Sequence, residues 1–202
     1  MRKVRDLGWK HLDLLKEIGN IGASHAATSL STILNKRIEL KIPSVRIIPF
    51  AEMNDRHAEQ PVAATYIRVD GDVSGHFFMM FPVPLADALV GELVPNGTVF
   101  DQGMGASAFC EIGNILCGSY LTALAEFMHV QINQSPPVLA IDMEFAILGE
   151  GLIELSIDND AVIMIDTVII DRELRHEIKG EFIFLPVPES MDVIFHMAEG
   201  KS

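Results

Sequence analysis

Asp13, Glu17 and Asn20 stand at positions i, i+4 and i+7, a spacing that puts them on one stripe of an α-helix. Ser107, Glu111 and Asn114 repeat the pattern 94 residues later. Asparagine is nearly useless as a base, but its amide has both a donor and an acceptor and can fix the position of a water molecule. The stripe borders the apolar face, so these groups are expected to be partly shielded. Each asparagine is followed, after 22 intervening residues, by a proline, Pro43 or Pro137. A plain polar stripe is the competing reading, and each proline could simply begin a strand. The exchange of Lys16 for Cys110 and of His25 for Ser119, while Glu and Asn stay, weighs against that reading.

The elements that must position these residues are duplicated too. Glu17-Ile18-Gly19-Asn20-Ile21 recurs as Glu111-Ile112-Gly113-Asn114-Ile115, and at the same shift Thr28 meets Thr122, Leu30 meets Leu124 and Ile38 meets Ile132. Farther on, the run from Gly75 to Pro84 resembles that from Gly180 to Pro188, which predicts an insertion of about ten residues in the second copy, within 148–160. Helical spacing predicts long helices over about 9–35 and 104–129. Strand-like segments follow at about 44–50, 61–70 and 73–81, then at about 138–147, 161–170 and 176–185. A short helix after the prolines at 82–84 and 186–188 closes each copy. Gly19 and Gly113 fall inside helices, where glycine costs roughly 1 kcal/mol against alanine, and close approach of another backbone is the expected compensation. The order implies an α+β fold: one domain over 1–202, its repeats about 9–97 and 104–198 related by a pseudo-twofold axis, with long helices packed on a shared, largely antiparallel sheet.

Composition narrows the partners. Half of the 202 residues are hydrophobic, enough for a real core, and 28 acidic residues against 15 basic ones argue against nucleic acid and anionic membranes. Cys110 and Cys117 lie seven apart, fit no metal or redox motif, and read as two buried thiols in a reducing compartment. The basic start leads into no apolar run, and no apolar stretch approaches about 18 residues without a charge or proline, so a cytoplasmic location without membrane insertion is expected.

Here the spacing becomes specific. Asp/Ser-x3-Glu-x2-Asn-x22-Pro, read as Asp13, Glu17, Asn20, Pro43 and again as Ser107, Glu111, Asn114, Pro137, resembles the signature of the CheC, CheX and FliY family of CheY-phosphate phosphatases. Two motifs in one chain, without an appended flagellar-switch domain, resemble its CheC branch. The resemblance extends over the Gly-Asp-Val-Ser-Gly turn at 71–75 and the Leu-Thr-Ala-Leu-Ala run at 121–125. It implies that Asn20 and Asn114 each position the water that attacks an aspartyl phosphate, and that Glu17 and Glu111 pair with the regulator's active-site lysine. Phosphoryl transfer depends chiefly on positioning and electrostatics, so an amide is adequate. Asp13, Ser107 and the two prolines would support docking. The resemblance also implies a monomer with no cofactor of its own, Mg²⁺ being supplied by CheY, and a partnership with the receptor deamidase CheD. A CheY-phosphate-responsive module that regulates CheD is the alternative function, and a flagellar-switch component is a third. The two motifs differ nearby, Gly22 and Ser24 meeting Leu116 and Gly118, so the sites are expected to be unequal.

Other signals are set aside. Gly103-Met104-Gly105-Ala106-Ser107-Ala108 matches a loose dinucleotide fingerprint, but no βαβ unit surrounds it. The seven histidines show no metal-ligand spacing, and Ser107 has no base at readable spacing. Phe77, Phe78, Met79 and Met80 read as strand core.

Overall fold

Leu15, Ile18, Gly22, Ala26 and Leu30 recur every three to four residues and form the buried stripe of α1, Trp9–Leu34. The same logic gives α4, Met104–Met128, with Phe109, Ile112, Leu116, Tyr120 and Leu124 inward. Each helix ends on a residue in the left-handed conformation, Asn35 (φ 50°) and His129 (φ 55°), whose N–H caps the last turn. The computed structural model describes residues 3–53, 60–155, 161–172 and 176–199.

The strands are β1 (Ile38–Lys41), β2 (Val45–Pro49), β3 (Val62–Gly71), β4 (Gly75–Pro82), β5 (Ile132–Gln134), β6 (Val138–Asp142), β7 (Ala161–Asp171) and β8 (His176–Pro186). They form one eight-stranded sheet in the order β1-β7-β8-β4-β3-β5, with β2 also on β7 and β6 also on β3. Every pairing is antiparallel. The order is symmetric about β4 and β8, which pair from Gly75↔Pro186 to Met80↔Glu181. The repeats are therefore interleaved. The first copy's β1 and β2 complete the second copy's β7, and the second copy's β5 and β6 complete the first copy's β3.

Alternation along the central strands sorts side chains between two layers. Phe77, Met79, Phe81, Phe182 and Phe184 face the long helices in the main core, while Phe78, Met80, Ile183 and Leu185 belong to a smaller core on the other face. Two terminal helices, α3 (Val83–Leu93) and α6 (Met191–Glu199), join the long-helix layer; α3 packs on α4 and α6 on α1. The helices α2 (Phe50–Met53) and α5 (Glu144–Leu155) contribute Met53 and Leu148 to the smaller core. Although α4 has the length and mean hydropathy (1.3) of a membrane span, half of that stretch is buried in the protein, as befits a helix central to its layer.

The α+β fold with long helices on an antiparallel sheet is as expected, and several boundaries differ. The predicted strand at 138–147 stops at Asp142, whose Oδ1 accepts the Met143 N–H at 2.7 Å, and the apolar run after it is the helix α5. That run is apolar because it covers a sheet face, which periodicity in so short a window does not separate from a strand. Two short strands, β1 and β5, were not anticipated. Residues 156–160 of the predicted insertion lie outside the described residues. Cys117 is buried and its thiol pushed up by desolvation, but Cys110 is only half-buried, so the expectation of two buried thiols holds for one.

The glycines also differ from expectation. A Cβ at Gly19 would lie 3.0 Å from the Tyr120 ring, and one at Gly113 would lie 2.4 Å from Thr65 Oγ1, so side chains make both approaches. The backbone approach occurs one turn later, where a Cβ on Gly22 would lie 2.8 Å from the Ser119 carbonyl oxygen and 2.9 Å from Tyr120 Cα. This is where α1 crosses α4. Gly22→Ala must push the two helices apart and is expected to destabilise the protein by about 1–3 kcal/mol in chemical denaturation. Gly91 in α3 is exposed with nothing near its missing Cβ, so Gly91→Ala should stabilise by about 0.4–1 kcal/mol in the same measurement.

Candidate functional site

The stripe on α1 leaves Asp13, Glu17 and Asn20 exposed, and that on α4 leaves Ser107 and Glu111 exposed with Asn114 half-buried. The shielding expected of these groups is thus largely absent, because the apolar stripe turns them outward past the edge of the sheet. Glu17 and Glu111 make no hydrogen bond or ion pair among the described residues. Ser107 donates its hydroxyl to the Gly103 carbonyl at 3.0 Å, one turn back in its own helix.

The prolines mark what lies beside each asparagine. Lys41 pairs with Val168 and Val45 with Ile165, so residues 42–44 oppose only Asp166 and Thr167. Gln134 pairs with Val69 and Val138 with Tyr66, so residues 135–137 oppose only Ile67 and Arg68. Each edge therefore carries one extra residue, a β-bulge that re-aims the backbone locally. Pro43 and Pro137 sit in these bulges, where a missing N–H costs no ladder bond.

The first bulge turns Ile42 towards α1. The Ile42 N–H donates to Asn20 Oδ1 at 3.0 Å, while Asn20 Nδ2 donates to the Ile42 carbonyl at 3.3 Å and to the Lys16 carbonyl at 3.0 Å. Asn20 is thus clamped by backbone at both ends of its amide. In the second copy the position matching Ile42 is Pro136, which has no N–H to give. Asn114 Oδ1 instead accepts from Gln134 Nε2 at 2.9 Å, and Asn114 donates no hydrogen bond among the described residues.

An open groove lies along the junction of each helix with the neighbouring short strand, the first including Asn20 and the second reaching the Gln134 that bonds Asn114. The first, about 470 Å³, includes Asn20, Ser24, Thr28, Leu40, Glu39 and Arg172. The second, about 430 Å³ and reaching Gln134, includes Gly118, Thr122, Glu126, Ile132 and Asn133. Arg172 pairs with Glu39 at 2.7 Å and, with Lys41, holds that carboxyl below its ordinary range. Among the described residues no cluster of three or more His, Cys, Asp or Glu could hold a metal ion. The glycine-rich run at 103–108 starts α4, where a Cβ on Gly105 would lie 2.0 Å from the Thr98 carbonyl oxygen; its glycine serves packing.

Two residues of these surfaces were not singled out in the sequence. Trp9, 74% exposed, lies one turn before Asp13, and extending the i, i+4 series backwards would have found it. Gln134 had no such signal, because the sheet register alone carries it to Asn114.

Comparison with known proteins agrees with the duplicated arrangement. A family model described as CheC-like family matches residues 11–47 and 104–141, one stretch on each site helix. The chain is 37% identical over 193 residues to the CheY-P phosphatase CheC of Bacillus subtilis strain 168, covering 92% of each chain. It is 30% identical over 141 residues to the flagellar motor switch phosphatase FliY of the same organism, covering 67% of this chain and 36% of that one. Among solved structures, Thermotoga maritima FliY superposes with a TM-score of 0.76 at 21% identity, covering 97% of this chain and 99% of the other, a likeness of fold.

The different anchoring of the two asparagines has a consequence for stability. Asn20→Ala strips partners from the buried Ile42 backbone and should cost about 1–3 kcal/mol. Asn114→Ala loses one exposed side-chain contact and should stay within about 0.5 kcal/mol of the parent. Urea unfolding of the two variants checks the difference.

Proposed function

The chain belongs to the CheC-like family, and on that premise we propose that it is a chemotaxis phosphatase that hydrolyses the aspartyl phosphate of phosphorylated CheY. The observation that carries this reading is the Glu and Asn pair displayed twice on helix faces, with both carboxylates free of partners among the described residues. A relative 37% identical along nearly the whole chain bears the name of a CheY-P phosphatase, which supports the substrate class.

The proposed chemistry follows from the residue types. The aspartyl phosphate is an activated acyl phosphate, and its own protein brings Mg²⁺ and a lysine. The missing element is a water held in line with the P–O bond. Asn20 or Asn114 enters the regulator's site and accepts a hydrogen bond from that water through a free lone pair on Oδ1. Water oxygen bonds to phosphorus, the bond to the aspartate oxygen breaks, and the released carboxylate and inorganic phosphate share the proton balance with solvent. Glu17 or Glu111 grips the regulator's lysine in a charge-assisted contact that sets register. Asp13 and Ser107 flank the contact. Pro43 and Pro137 act through the bulges beside the asparagines.

The proposal includes action as a cytoplasmic monomer and a partnership with the deamidase CheD. That partnership is separable, because hydrolysis needs the Glu and Asn pair and CheD docking need not.

The test is the decay of phosphorylated CheY with the parent protein, Asn20→Ala, Asn114→Ala and the double variant. Each single variant should lose part of the activity, and the double variant should be slower by roughly 100-fold. A double variant that still accelerates decay overturns the mechanism. Glu17→Ala and Glu111→Ala should instead raise the regulator concentration needed for half-maximal rate by about tenfold in the matching site. Retention of CheD by the double variant, read by co-purification, would separate binding from hydrolysis.

A further inference from the structure

The two bulges fall at equivalent registers, yet the residues there are exchanged as a pair. The first copy has buried Leu40 and, at position 42, an isoleucine whose N–H reaches Asn20 Oδ1 at 3.0 Å. The second copy has exposed Gln134 and, at position 136, a proline with no N–H. The donor that the second backbone lacks comes from a side chain, Gln134 Nε2, at 2.9 Å from Asn114 Oδ1. A third residue makes room for it. A Cβ on Gly118 would lie 3.2 Å from Gln134 Nε2 and 3.4 Å from its Oε1, tighter than ordinary contact, whereas the first copy has Ser24 there.

We infer that Gln134 is the positioning residue of the second site, replacing the backbone N–H that holds the asparagine of the first. This rests on the phosphatase reading above. An amide side chain on a helix surface is free to turn over, exchanging its oxygen for its nitrogen at nearly the same place. With Gln134 Nε2 donating, Asn114 Oδ1 faces the strand and keeps one lone pair for the attacking water. This arrangement also leaves both N–H groups of Asn114 for phosphoryl oxygens. In the first site both N–H groups of Asn20 are already given to the carbonyls of Lys16 and Ile42. The two sites therefore present different hydrogen-bonding capacity from the same residue type, which was not visible in the matching motifs.

The experiment isolates the second site in the full chain carrying Asn20→Ala and measures kcat and KM for hydrolysis of phosphorylated CheY. Adding Gln134→Leu, the residue type of the first copy, should lower kcat by about twofold with KM and Tm unchanged, because the two orientations of the amide become equally populated while the docking surface stays. Adding Pro136→Ile as well rebuilds the pair found in the first copy and should recover part of the lost kcat. An unchanged kcat in the Gln134→Leu variant overturns the inference, as does a loss confined to KM or one that follows a fall in Tm. If Asn114→Ala in the same background leaves hydrolysis intact, it is the phosphatase mechanism that fails, and the role of Gln134 with it.

Discussion

The pairing of β4 with β8 is the constraint on which the rest of the molecule depends. It runs from Gly75↔Pro186 to Met80↔Glu181, at the centre of the symmetric strand order. Once these strands are in register, β3 and β7 follow on either side, and each offers its outer edge to the short strands of the opposite repeat. Neither repeat can complete its own sheet. A half-chain would expose unpaired strand edges and the phenylalanine-rich face that the long helices cover, which disfavours independent folding. The helices obey the same exchange, since α3 packs on α4 and α6 on α1. Gly22 lets the long helices approach to backbone contact at their crossing.

The edges of this sheet carry the bulges that border the two asparagines. A single extra residue in each edge re-aims the backbone, and in the first copy the residue before the proline arrives beside the asparagine. Because the register shift is the same in both copies, the positions coincide while the chemistry does not: isoleucine offers a backbone donor and proline cannot. A clamped Asn20 contributes to the fold. Asn114, held among the described residues by one side chain at its oxygen, is less committed to the fold. Duplication thus produced one element with a structural duty and another released from it.

The site residues lie on exposed helix faces bordered by open grooves. Such a surface does not enclose a small substrate, and a water bound to an exposed amide is not held in line with anything. It suits a substrate that brings its own pocket, which is the situation of an aspartyl phosphate on another folded protein. The carboxylates of Glu17 and Glu111, without partners among the described residues, fit the same picture, since such a charge can meet a cation across an interface. Trp9, exposed on the same stripe as Asp13, adds the kind of aromatic surface that interfaces favour.

Much of this was determined by the sequence alone. The internal repeat, the two long helices, their shared Glu and Asn stripe and the antiparallel character of the sheet all follow from short-range periodicity and from residues compared with their own copies. Helix α5 was misread because a short apolar run looks the same whether it lies in a strand or covers one, and β1 and β5 are too short for alternation to show. Only the tertiary structure decided that the repeats exchange strands, that Gly22 and not Gly19 marks the backbone crossing, and that the Glu and Asn stripe is exposed except at half-buried Asn114. It alone decided what each asparagine touches. Ile42 lies 22 residues from Asn20 and Gln134 lies 20 from Asn114, and both are brought in by sheet register and a bulge. Periodicity reports which face of an element is buried; it carries no information about which backbone donor a bulge will aim at that face.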